Sequence, residues 1–230
     1  MSVNMSPWKV ASRAVFWGSM LLILSLPDIT QAQEQDDTTP LNYKLYTFVQ
    51  GAAAGETPFW HYANTYGRLQ RGPKANWLSG ATLEMPYQQL GPVRVASGIE
   101  LTSRVSDSRN STHFTQFYGS LQYGRWRLRV GRFRHTIGGS DDALSIGSMM
   151  VSRNATPIPK IEFSTPEFFD LPLSNGRLQA HLYWSEGQLG TGRHISQARL
   201  HQKSLHVRAV GNRLSLTAGI TQNLQWAGRG

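Results

Sequence analysis

The chain has 230 residues, with 23 lysines and arginines against 14 aspartates and glutamates, no cysteine and a formal net charge of +9. Without disulfides, a chain of this length in an oxidising compartment needs a large core or a closed sheet to hold it together. The cationic excess favours an anionic partner: nucleic acid, anionic lipid head groups or an acidic polysaccharide.

In chain order, Lys9 and Arg13 come first, followed by an uncharged apolar run from Ala14 to Leu26. That run is shorter than the ~20 residues a helix needs to cross a bilayer. Pro27 ends it, and Thr30-Gln31-Ala32 puts small residues where a signal peptidase reads. Residues 1–32 therefore read as a secretory signal peptide cleaved after Ala32, in preference to an N-terminal anchor. Its removal leaves 21 basic and 13 acidic residues, a net charge of +8. Export argues against nucleic acid, and a basic solvated surface without a partner is the plain alternative. Residues 33–40 are polar and non-periodic, a flexible lead-in. Residues 41–230 are left to form one domain.

That domain shows period-two alternation broken by Gly, Pro, Asn and Ser, which is the signal of strands. From Val93 to Val105 one face carries Val93, Val95, Ser97, Ile99, Leu101, Ser103 and Val105, and the other Arg94, Ala96, Gly98, Glu100, Thr102 and Arg104. Thr112–Tyr123 is a second strand, Gly124-Arg125 a tight turn, and Trp126–Val130 a third strand with Arg127 and Arg129 on its polar side. Arg177–Trp184, Arg199–Val210 and Arg213–Thr221 follow. A soluble sandwich can alternate too. Two features point instead to an antiparallel transmembrane β-barrel of the outer membrane of a Gram-negative bacterium. The polar face is rich in small and charged residues, and Tyr123, Trp126, Tyr183 and Trp184 lie near strand ends, as in an interfacial girdle. Alternation fails at Gly131, where Arg132 and Arg134 land on the Trp126 face, either through a bulge or because the strand has left the bilayer.

Between His135 and Lys160 the pattern stops. Asp141-Asp142 could cap a short helix, Pro157 and Pro159 exclude a central strand there, and 138–160 reads as an inward-folded loop that narrows the lumen. Two blocks then carry a family resemblance: Thr57-Pro58-Phe59-Trp60-His61-Tyr62-Ala63-Asn64-Thr65-Tyr66-Gly67-Arg68, and Gly131 through Gly138-Gly139, Ser152-Arg153-Asn154-Ala155 and Pro157-Ile158-Pro159-Lys160-Ile161 to Phe168-Phe169. In these the chain resembles the capsule assembly proteins of the Wzi type. The resemblance implies an outer-membrane β-barrel lectin that holds capsular polysaccharide at the cell surface, without catalysis or cofactor. It also implies a barrel of about twice the nine or ten strands expected here. With Gln225-Trp226-Ala227-Gly228-Arg229-Gly230 lacking a terminal aromatic, 41–230 is expected to be the N-terminal part, about half the strands, of a longer barrel. A complete small barrel is the alternative.

Sugar binding needs flat apolar faces edged by planar hydrogen-bonding groups. Trp60, Tyr62, Tyr66 and Arg68 supply both and, with Asn64, would share one face of a strand, although girdle or wall packing would use the same residues. Arg94, Arg104, Arg127 and Arg129 would line the lumen and attract an acidic glycan, or else pair with Glu100 or aspartates in a charge network. Arg153, Asn154 and Lys160 would be the polar contacts of the inward loop, unless Asn154 and the prolines only fix a turn. A porin-like channel uses the same basic lumen. A glycan hydrolase would draw paired carboxylates from Asp141-Asp142 with Glu162 or Glu167, but adjacent aspartates after Gly-Gly-Ser more often cap a helix. No metal-type His/Cys cluster stands out, and His201 and His206 have the wrong parity to share a strand face.

Overall fold

A computed structural model describes residues 41–51, 57–69, 72, 75–107, 109–135, 151, 153–190 and 195–229. The expected signal peptide, the expected lead-in and the expected Asp141-Asp142 cap fall outside the described residues. The domain is all-β. Ten strands form one antiparallel sheet: β1 (Asn42–Gly51), β2 (Ala75–Leu90), β3 (Val93–Ser106), β4 (Ser111–Tyr123), β5 (Trp126–Arg132), β6 (Pro159–Ser164), β7 (Phe169–Asp170), β8 (Leu178–Gln188), β9 (Arg199–Val210) and β10 (Ser215–Trp226). Each pairs with its neighbour in sequence, except that β6 and β7 both pair with β8, as one interrupted strand. The sheet is not closed, because β1 and β10 are its edges. One short helix, α1 (Phe59–Tyr62), lies between β1 and β2.

Connections differ at the two ends. Two-residue turns at 91–92 and 124–125 join β2 to β3 and β4 to β5, whereas residues 52–74, 133–158 and 189–198 bridge strands at the opposite end. Pro159 is tolerated because it is the first residue of β6. In β2, Pro86 falls inside the register shift between Met85 and Gln88, where a bulge needs no ladder hydrogen bond from it. Gly131 sits at φ 126° in a register that runs without a break through Tyr118 and Lys160, so no bulge lies there. The irregularity is in β4, between the partners of Glu100 and Leu101.

The sheet is inside out. In β3, Glu100 and Thr102 are 1% and 0% exposed, while Leu101 between them is 40% exposed. The buried face continues through Thr115, Gln116, Ser120, Glu162, Ser164, Ser185, Gln202 and Ser204; Ile99, Phe117, Leu121, Leu128, Val130, Ile161, Phe163 and Leu205 are exposed. A flat sheet would expose both faces alike, so this one curls around its polar side. Close approach helps it curl: a Cβ on Gly80 would come within 2.3 Å of the Tyr46 ring, which crosses over that glycine.

The outward apolar residues form a band that crosses the strands obliquely. One row of paired residues reads Gln88, Val95, Leu121, Leu128, Phe163, Trp184, Lys203, Gln222: polar, then apolar across β3 to β8, then polar. On β5 the last apolar residue is Val130, whose row leads through Ile161 and Glu186 to His201. On β9 the last apolar residue is Leu205, four positions further on. The edge of the band thus shifts by four residues over three strand-to-strand steps.

Candidate functional site

The inward face gathers basic side chains around two buried carboxylates. Glu162, on β6, is paired across the ladder with Arg129 of β5. Arg129 Nη2 donates to both of its oxygens at 3.0 Å, Arg127 Nη2 donates to Oε1 at 3.0 Å, and Ser164 Oγ donates to Oε1 at 3.1 Å. Lys160 Nζ stands 4.0 Å away and donates to Tyr183 Oη at 3.1 Å. From Tyr183 the polar chain continues through Ser185 and Gln202 to Asn223, crossing to β10. His135 stacks on Tyr183 at 4.5 Å, with Nδ1 3.7 Å from Glu162.

Glu100, on β3, is held by Arg68 at 2.5 Å, by Arg134, by the Tyr46 hydroxyl at 2.8 Å and by Gln116 Nε2 at 3.2 Å. Burial of Glu100 makes the loss of these partners costly, because its unpaired charge would lose its hydration with nothing in exchange. Five cationic groups thus converge on two carboxylates. The buried Nε–H groups of Arg68, Arg127, Arg129 and Arg134 meet no acceptor among the described residues.

The two blocks that carry the family resemblance meet at this face. The Asn64 backbone N–H donates to Asn154 Oδ1 at 2.8 Å, and the Tyr66 N–H donates to the Arg153 carbonyl at 2.6 Å. Gly67, at φ 73°, passes so close to Thr156 that a Cβ would lie 2.6 Å from its Oγ1. Arg68 then reaches Glu100, and Arg134 lies over the Tyr66 ring at 4.9 Å. The segment 57–69 is therefore folded inward at the long-connection end, together with 153–158.

Several expectations need correction. Trp60, Tyr62, Asn64, Tyr66 and Arg68 do not share a strand face: Pro58 opens α1, and Asn64 (φ 58°), Tyr66 (φ 55°) and Gly67 turn the chain out of it. Trp60 is 75% exposed, and Tyr62 packs edge-on to Phe59. Arg127 and Arg129 pair with Glu162 and not with Glu100. Arg94 is exposed near the tight turn, over the Tyr87 ring at 5.5 Å, apart from both clusters. Arg104 is buried and donates to the Arg68 carbonyl at 3.3 Å. Arg134 leaves the Trp126 face because β5 ends at Arg132, and Tyr183 faces inward, outside any girdle. His201 and His206 do fall on opposite faces, His201 against Glu186 and His206 beside His181.

Sequence reading missed Tyr46, Gln116, Arg134, His135 and Tyr183. Tyr46 and Gln116 reach Glu100 only through the ladder registers of β1 to β4, and Tyr183 reaches the second cluster through that of β6 with β8. No group of three or more potential metal ligands occurs among the described residues. Comparison of the chain with protein-family models, with curated proteins and with solved structures gives no match.

Proposed function

We propose that this sheet is part of the wall of an outer-membrane β-barrel that holds capsular or similar acidic polysaccharide at the cell surface, without catalysis. The observation that carries the binding role is the inner cationic excess, five basic groups on two carboxylates, whose net positive charge attracts an acidic glycan. The carboxylates fix the arginines in place, so little side-chain entropy is lost when a ligand arrives. Trp60 adds an exposed flat ring at the long-connection end, where a surface glycan would approach.

The oblique apolar band supports the membrane setting. A shift of four residues over three steps, at ~3.3 Å per residue and ~4.8 Å between strands, corresponds to a strand tilt of roughly 40°. Strands of membrane barrels tilt by ~35–45°. The resemblance to capsule assembly proteins points the same way.

Retention of purified, refolded protein on immobilised acidic capsular polysaccharide tests the proposal. Trp60→Ala should weaken retention about fivefold, an aromatic face being worth roughly 1 kcal/mol. A protein that retains no glycan but passes anions across planar bilayers would make the pore reading the better one.

A further inference from the structure

We propose that the outward surface of β5, β8 and β9, at the edge of the apolar band, binds the headgroup of a bisphosphorylated glycolipid in the outer leaflet. This inference rests on the membrane reading above. It concerns the opposite face of the sheet from the glycan site.

Beyond Val130, Trp184 and Leu205 the outward positions become Arg132, Glu186, Lys203, His201 and Arg199. Three of these side chains lean on aromatic rings at the band's edge. Arg199 lies 5.5 Å from the Trp226 ring, Arg132 lies 5.8 Å from that of Phe117, and His201 meets Trp184 edge-on at 6.0 Å. Such side chains keep their stems on apolar surface and their charge at headgroup depth. Arg132 Nη1 also donates to the Phe114 carbonyl at 3.0 Å, which fixes its height. The one carboxylate among these residues, Glu186, is taken by His201 Nδ1 at 2.9 Å. Arg132, Arg199 and Lys203 therefore stand against a single acid, an excess of two positive charges.

The strip lies at the end from which 133–158 and 189–198 depart, away from the tight turns at 91–92 and 124–125. Long connections of outer-membrane barrels face the outside and short turns the periplasm, so the strip faces the outer leaflet. Arg199 and Lys203 are four residues apart on one face of β9, ~13 Å along the strand. At that spacing the two long side chains can spread over two phosphates of a single headgroup.

The test uses the full chain refolded into phosphatidylcholine vesicles containing either diphosphoryl lipid A or phosphatidylglycerol, with retained lipid counted by native mass spectrometry. The wild type should retain lipid A in preference to phosphatidylglycerol. The exposed single changes Arg199→Gln and Lys203→Gln should each lower that retention about fivefold, the effect of one cation at an anionic surface. Combining them with Arg132→Gln should abolish it. Insertion into phosphatidylcholine and retention on acidic glycan should be unchanged. Equal retention by the single variants, or no preference for lipid A, overturns the site while leaving the wall and its glycan face standing. Failure of the wild type to insert into phosphatidylcholine contradicts the membrane reading itself, and the lipid site with it.

Discussion

Glu162 is wholly buried and holds Arg127 and Arg129 in fixed positions, each at 3.0 Å. Its replacement by glutamine keeps the shape and removes the charge, leaving two guanidinium groups and Lys160 to repel one another. Breaking a buried pair of this kind costs about 3–5 kcal/mol, so Glu162→Gln should unfold at markedly lower denaturant in detergent micelles, followed by tryptophan emission. A loss below about 1 kcal/mol would mean that solvent or ions already screen the cluster. The sequence placed Arg127 and Arg129 on the polar face correctly. Which acid they meet depends on the register of β5 with β6, strands separated by residues 133–158, and no local pattern encodes such a pairing.

At the scale of elements, β3 was readable almost to its ends because one rule, polar inward and apolar outward, holds along it except at Ala96, Ser97 and Ser103. The same rule recovers β5, but in β4 the extra residue between Phe114 and Phe117 reverses the parity, and in β9 Arg199, His201 and Lys203 face outward with Leu205. It fails for β1, where Tyr46 and Phe48 put aromatic rings on the inner side opposite Tyr43 and Leu45. It fails for β2 as well, where the shift around Pro86 reverses the parity midway. Pro159 concealed β6 by marking its first residue. The aromatic density of 57–68 resembled a strand, although Pro58, Asn64 and Gly67 are the punctuation of a helical turn and its exit. That inward fold should be sensitive at Gly67, where a methyl group would meet both Thr156 and a strained φ. Gly67→Ala should therefore release 57–69 from 153–158, seen as faster amide exchange at Tyr66 with exchange in β3 to β5 unchanged. Equal protection in both proteins would show that the two segments hold together without this close approach.

In the whole molecule, β6 and β7 count as one interrupted strand, so the meander has nine runs and β1 and β10 point in the same direction. They cannot pair with each other antiparallel. An up-and-down barrel that includes this sheet needs an odd number of further strands between its edges, which brings the total to the even count that bacterial barrels show. The polar interior, the apolar exterior and the tilt all depend on which face meets lipid. Fluorophores on single cysteines answer that directly, since the chain has no native cysteine. In vesicles with brominated acyl chains, labels at Leu101, Leu128 and Leu205 should be strongly quenched, and labels at Thr82, Gln122 and His206 should not. Equal quenching of the two sets, or the reverse order, would contradict the inside-out membrane wall.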